Sequence, residues 1–173
     1  MTVKERIKNW KLHPSQRGWF SFELYKAMAR DDSIWLVVGD LGWGVFDAHF
    51  QDYPDRCINT GAAETAMIGI GVGLAMEGKI PVVYSITPFL IWRPAETIRL
   101  YLGHEGWPVK LAGSGRDDDY KHDGFSHNAK DAKKFLKQFS SICQEWPETK
   151  EWVANSMESF LYCPCPHFVS LKR

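Results

Sequence analysis

Apolar residues in this chain fall into short continuous runs separated by stretches with helical spacing, and the two patterns alternate along its length. Residues 20–30 place Phe20, Leu24, Ala27 and Met28 on one helical face. The run 34–38 is apolar throughout and ends in Gly39-Asp40, the signature of a buried strand opening into a loop. Tyr53-Pro54-Asp55 reads as a turn, 56–59 as a second strand, and 62–76 as a helix containing Gly69, Gly71 and Gly73. Each of those glycines costs up to about 1 kcal/mol of helix propensity, so the segment predicts a close helix–helix crossing, with Gly71 at an assembly interface. Gly78 stops that helix, and 80–85 is a third strand, continuously apolar as parallel strands are. A helix over 93–102 with Pro94 in its first turn, a strand over 109–112, a helix over 131–139, a short strand over 141–143, a helix over 147–160 and a closing strand over 168–171 complete the pattern. Strands alternating with helices predict an α/β fold, a three-layer sandwich around a mostly parallel central sheet. In such sheets the working site lies at the carboxyl ends of the strands.

Composition narrows the class. The chain has 173 residues, 45% hydrophobic and 24% charged, which predicts one globular domain with its own core. Lys+Arg and Asp+Glu each number 21, so the charge excess that a general nucleic-acid or anionic-membrane binder needs is missing. The longest run free of strong polarity, 66–76, is far shorter than the roughly 20 residues that span a bilayer. The amino terminus has charges but no apolar stretch behind them, unlike a signal peptide. Cys57, Cys143, Cys163 and Cys165 form no CxxC pair or dense framework, so a reducing, cytoplasmic location is expected. Eight Trp and ten Phe make an aromatic load that suits interfaces as well as cores, and point to a partner chain.

Several groups invite a chemical reading. Glu64 opens the glycine-bearing helix, where a lone acid simply complements the helix dipole. Asp117-Asp118-Asp119 reads as a solvated charged loop rather than a hard-cation site, and Lys133, Lys134 and Lys137 as the wet face of their helix. Cys163, Cys165 and His167 alternate and would share one face as soft ligands, but two prolines interrupt them and no fourth ligand is apparent, so no metal is assigned.

Taken together, these segments resemble a known family. Asp55-Arg56-Cys57-Ile58-Asn59-Thr60-Gly61-Ala62-Ala63-Glu64 is similar to the PDR-x-x-N-x-G-x-AE segment of transketolase-type, thiamine-diphosphate-dependent enzymes. Residues 74–84, Pro88-Phe89-Leu90, Arg93 and Ile98-Arg99 resemble its continuation and cofactor-facing segment. Tyr120, His122, Gly124 and Ser126-His127 resemble the Y-x-H-x-G-x-[ST]-H loop of transketolase C-terminal sections, and residues 166–173 the closing strand. The resemblance runs from about residue 34 to the end and is to the pyrimidine-binding domain alone, with residues 1–19 as an amino-terminal extension. In that family another domain holds the diphosphate and its magnesium through Gly-Asp-Gly and a later Asn. Gly39-Asp40-Leu41 with Asn59 lacks the third residue and the spacing, so no metal site is expected there. The third domain usual in transketolases is not expected either.

The resemblance implies a set of roles. Glu64 would hydrogen-bond N1′ of the aminopyrimidine and so activate the thiazolium carbon, a task suited to a carboxyl group in a mostly apolar pocket. Phe89 would stack on the pyrimidine, Arg93 and Asp40 would line the cofactor cleft, and His127 and His122 would donate to, or move protons at, a substrate carbonyl or hydroxyl. Thr65 replaces a common Gln, His104-Glu105 replaces a usual Tyr-His, and Arg116–Asp119 replaces a small glycine-rich stretch, which points to an unusual substrate. The expected protein is one subunit of a split transketolase-like transferase, joined with a diphosphate-binding chain into a heterotetramer. It would move a ketol or acyl unit from a sugar or 2-oxo acid to an aldehyde. The alternatives are a 1-deoxyxylulose-5-phosphate-synthase-like or 2-oxo acid decarboxylase subunit, or a non-catalytic regulatory subunit.

Overall fold

A computed structural model describes residues 13–173; residues 1–12, most of the expected amino-terminal extension, lie outside the described part. Six strands form one sheet: β1 (Ile34–Val38), β2 (Cys57–Asn59), β3 (Ile80–Ile86), β4 (Lys110–Ser114), β5 (Cys143–Glu145) and β6 (His167–Leu171). Their order is β2-β1-β3-β4-β6-β5, and every pairing is parallel. The helices are α1 (Gln16–Met28), α2 (Asp47–Asp52), α3 (Glu64–Met76), α4 (Thr87–Trp92), α5 (Ala95–Thr97), α6 (Ala132–Leu136) and α7 (Lys150–Tyr162). Among the described residues no helix is long and apolar enough to cross a membrane.

Alternation along the strands builds two cores. Ile34, Leu36 and Val38 of β1, Val82 and Tyr84 of β3, and Val169 and Leu171 of β6 face α1 and α7, where they meet Phe20, Leu24, Met28 and Phe160. Val37, Val83, Leu111 and Phe168 point the other way, against Met67, Ile68 and Val72 of α3, Leu90 and Ile91 of α4, and Leu136 of α6. The layers are therefore helix, sheet and helix. One buried cation stitches the carboxyl edge: Arg116 donates from Nε to Ser170 Oγ at 3.1 Å, from Nη2 to the Pro147 carbonyl at 2.9 Å and to the Ser170 carbonyl, and from Nη1 to Glu148 at 3.0 Å.

The chain departs from its pattern at several places. The expected helix over 93–102 is present but starts two residues late, after Pro94, and runs on to His104. Pro94 has no N–H to give to the preceding turn, so α4 ends at Trp92, and the chain resumes as α5 and a π-helical segment, Ile98–His104. The last strand pair and the last helix are shifted: β5 begins at Cys143, and α7 begins at Lys150 because the Thr149 hydroxyl caps it, accepting from the Trp152 N–H at 3.2 Å. Cys163 and Cys165 are joined by a disulfide, which the cysteine pattern did not suggest.

Gly71 is also corrected. It faces the sheet, where an added Cβ would meet Val83 Cγ2 at 2.9 Å and Val109 Cγ1 at 3.2 Å, while Gly69 and Gly73 face outward with nothing in reach. Gly71→Leu is therefore expected to destabilise the lone chain by about 1–3 kcal/mol, since β-branched neighbours in a packed core yield little. Gly69→Ala should gain up to about 1 kcal/mol. Denaturant titration of both variants checks this; an unchanged midpoint for Gly71→Leu contradicts the packing.

His49 gives a pH signature. Its ring is fully buried against Phe46 at 5.1 Å and Tyr25 at 5.4 Å, and burial pulls its pKa down to about 3 from the usual value near 6.5. The unfolded chain thus takes up a proton between those two values that the folded chain refuses. Stability held in full above pH 6.5 is expected to fall as pH drops toward 3, with a slope contribution of up to about 1.4 kcal/mol per pH unit. Comparing His49→Phe with the unmodified chain from pH 7 to 4 isolates the slope; parallel curves contradict the assignment.

Candidate active site

The loops after β1, β2, β3 and β4 meet at one edge of the sheet. Behind β2 the chain turns sharply: Asn59 Oδ1 accepts from Asp40 N–H at 2.9 Å and from Gly61 N–H at 3.0 Å, tying the loop after β1 to the loop before α3. Gly61 takes φ +68 and Asp40 φ +54, a left-handed backbone that suits glycine and that short acids tolerate. This turn delivers Glu64 as the first residue of α3. Its side chain is only 4% exposed.

Burying a carboxylate costs several kcal/mol unless a partner compensates. Arg93 is that partner. From the turn between α4 and α5, just before Pro94, its Nη1 reaches to 2.6 Å from Glu64 Oε1, and the same guanidinium lies 3.8 Å from the centre of the Phe89 ring. Phe89 in turn packs edge-to-face with the His127 ring, their centres 4.8 Å apart, and His127 Nδ1 is 3.1 Å from Ser126 Oγ. Glu64, Arg93, Phe89 and His127 thus form one contiguous constellation. Beside it a cavity of about 460 Å³ is lined by Pro88, Phe89, Trp92, Arg93, Phe125, Ser126, Asn128 and Asp131.

The other expected residues stand apart. His122 is well exposed, 3.3 Å from Asp123 and 3.5 Å from Arg173 Nη1. Asp40 is exposed, and its sequence neighbour Leu41 lines a second, mostly apolar cavity of about 430 Å³ with Val38, Gly42, Trp43, Phe46, Asp47, Phe50 and Asn59. The acidic loop is engaged with its surroundings: Asp118 pairs with Lys130 at 3.3 Å, and Asp119 Oδ2 accepts from the backbone N–H groups of Arg116 and Arg173.

Tyr120, visible in the sequence only as part of a motif, supports the constellation. Its hydroxyl accepts from Arg17 at 3.1 Å and shares a hydrogen bond with Ser114 Oγ at 3.0 Å, and its ring lies 6.5 Å from His127. The motif itself was the signal for it; nothing in the sequence marked Arg17 as its partner.

An aminopyrimidine is a flat ring with N–H donors. The donor set fits such a group, because the flat, N–H-bearing guanidinium of Arg93 already uses both contacts, a hydrogen bond to Glu64 and a face on Phe89. No acidic cluster for a divalent cation accompanies them among the described residues.

Residues 14–173 match the family model described as the transketolase pyrimidine-binding domain. The chain is 32% identical over 92 residues to an apulose-4-phosphate transketolase subunit of Actinobacillus succinogenes, covering 53% of this chain and 30% of that protein. It is 38% identical over 86 residues to a 6-deoxy-6-sulfo-D-fructose transketolase subunit of Clostridium sp., covering 49% and 27%. A solved structure titled as a split-gene transketolase in an inactive β4 tetramer superimposes with a TM-score of 0.81 at 21% identity, over 92% of this chain and 51% of that one. The chain spans about a third of the length of these curated relatives. Its fold, its motifs and the matched residues agree: the chain belongs to the transketolase pyrimidine-binding domain family.

Proposed function

We propose that this chain is the pyrimidine-side subunit of a split thiamine-diphosphate-dependent, transketolase-like transferase. The observation that carries the reading is the buried Glu64 carboxylate in contact with Arg93, whose guanidinium also lies on Phe89, with the His127 ring packed edge-to-face with that of Phe89. When bound, thiamine diphosphate supplies the carbon that takes up a ketol or acyl unit and passes it to an aldehyde. Glu64 holds the proton at the pyrimidine nitrogen N1′, a role favoured by its burial and its fixed place at the start of α3. Arg93, whose side chain is 47% exposed, has room to turn outward and give up its two contacts. Phe89 then offers its face for stacking. His127 has Nδ1 held by Ser126, so Nε2 is the nitrogen that meets a substrate carbonyl or hydroxyl. Roles for His122 at the substrate and for Asp40 in the cofactor cleft rest on the motif resemblance alone, since both lie outside the Glu64–Arg93–Phe89–His127 constellation.

Glu64, Phe89 and His127 deal only with the pyrimidine end and the substrate, whereas most of the cofactor's charge sits on its diphosphate. We assign the diphosphate and magnesium to a second chain. Support comes from the relatives named as transketolase subunits and from the outward face of α3, where Thr65, Ala66, Gly69, Gly73 and Met76 are exposed and the small residues let another helix approach closely. Calorimetric titration with thiamine diphosphate and magnesium is expected to show binding weaker than micromolar for this chain alone, and tight binding once a diphosphate-binding chain is added. Gly69→Arg should abolish that assembly, read by light scattering, while leaving the lone chain folded. Micromolar cofactor affinity in the isolated chain contradicts the split-site reading.

A further inference from the structure

Three sulfurs gather at the opposite edge of the sheet. Lys110, Cys143 and His167 are the first residues of β4, β5 and β6, and the parallel register sets Lys110 and Cys143 on either side of His167. Just before β6, the loop Cys163-Pro164-Cys165-Pro166 carries two more sulfurs. The sulfurs of Cys143, Cys163 and Cys165 all lie within 4.8 Å of one another, and Cys143 Sγ is 3.1 Å from Cys165 Sγ. A disulfide needs only two sulfurs. The third comes from a different strand, 22 residues from Cys165 in sequence, and is delivered by sheet pairing.

The loop's backbone is fixed independently of the S–S bond. Pro164 and Pro166 restrict it, and the Lys110 ammonium, itself only 1% exposed, donates to the Cys163 carbonyl at 2.6 Å and the Cys165 carbonyl at 2.8 Å. Among the described residues no carboxylate pairs with that buried ammonium, so its positive charge sits beneath the sulfurs. Such a charge favours an anionic, thiolate-rich cluster over three neutral thiols.

We propose that Cys143, Cys163 and Cys165 form a three-thiolate site for one soft d¹⁰ cation, Cu⁺ or Zn²⁺, in the reduced chain, and that the disulfide is the metal-free form of that site. Thiolates select these ions over hard cations. With a metal–sulfur bond of about 2.3 Å, a planar three-sulfur site needs sulfurs about 4 Å apart, and rotation about the Cα–Cβ bonds of Cys163 and Cys165 supplies that spacing once their bond is cut. His167 does not belong to the set: its Nε2 lies 3.1 Å from Glu145 Oε1 and its ring packs on Phe160 at 5.3 Å. The reductive step balances with a dithiol. The dithiol is oxidised to a disulfide, the Cys163–Cys165 bond receives its two electrons and two protons, and two thiols result. Cation uptake then exchanges three S–H protons for three metal–sulfur bonds.

The test uses the purified chain, reduced with dithiothreitol and desalted without oxygen. It is titrated with Cu⁺ as its bicinchoninate complex and, separately, with Zn²⁺ against a chromophoric chelator. A one-to-one endpoint with either ion, an ultraviolet thiolate-to-metal band for Cu⁺, and metal-dependent loss of alkylation at Cys143, Cys163 and Cys165 are expected, while Cys57, buried in the core, resists alkylation with and without metal. Cys143→Ser, at an exposed position, should fold normally and lose the endpoint, whereas Cys57→Ser should keep it. A reduced chain that shows no one-to-one endpoint with either ion overturns the proposal, and so does a Cys143→Ser chain that retains it. Neither result bears on the thiamine reading, because no cofactor or partner chain enters the titration.

Discussion

A parallel strand cannot return to its neighbour through a tight hairpin, so each connection between successive strands of this all-parallel sheet crosses over one of its faces. Two consequences follow. Both faces of the sheet are covered, which requires strands that are apolar on both sides. All carboxyl ends also share one edge, so the loops after β1 to β4 converge even though β1 and β4 lie some 70 residues apart in sequence. The Asn59 side chain holds two of these loops in register, and Glu64 follows directly from that turn.

The edge that results is electrostatically demanding. A carboxylate as deeply buried as Glu64 needs a compensating donor. The donor is Arg93, which stands at the turn between α4 and α5, just before Pro94, and reaches Glu64 from there. The opposite edge solves a different problem: Lys110 is buried beneath a loop rich in sulfur and proline, with backbone carbonyls as its partners.

The sheet was legible in the chain because buried parallel strands are nearly continuous apolar runs, and 34–38 and 80–85 stand out whatever packs on them. The constellation was legible only through several ordered motifs together, since Glu64 by itself reads as an ordinary first-turn acid. What escaped depended on tertiary contact. Gly71 looked like its neighbours Gly69 and Gly73, but 200° of helix rotation, two steps of about 100° each, separates inward from outward positions. Arg116 reads as part of a charged loop, yet it is buried under Ser170 and Pro147. Cys143 has no sequence neighbour that marks it, and only the β5–β6 pairing brings it to Cys165.

The central assignment is Glu64 as the group that holds the proton at the pyrimidine nitrogen. Glu64→Gln keeps the shape and can still touch that nitrogen, but cannot supply the proton. Hydrogen–deuterium exchange at C2 of thiamine diphosphate, measured by NMR in the assembled two-chain complex, reads this step without any substrate. Losing one charge-assisted hydrogen bond costs a few kcal/mol, so exchange slowed by about 10²- to 10³-fold in the Glu64→Gln complex, with the assembly intact, is the predicted result. Exchange as fast in the variant complex as in the unmodified one would contradict it.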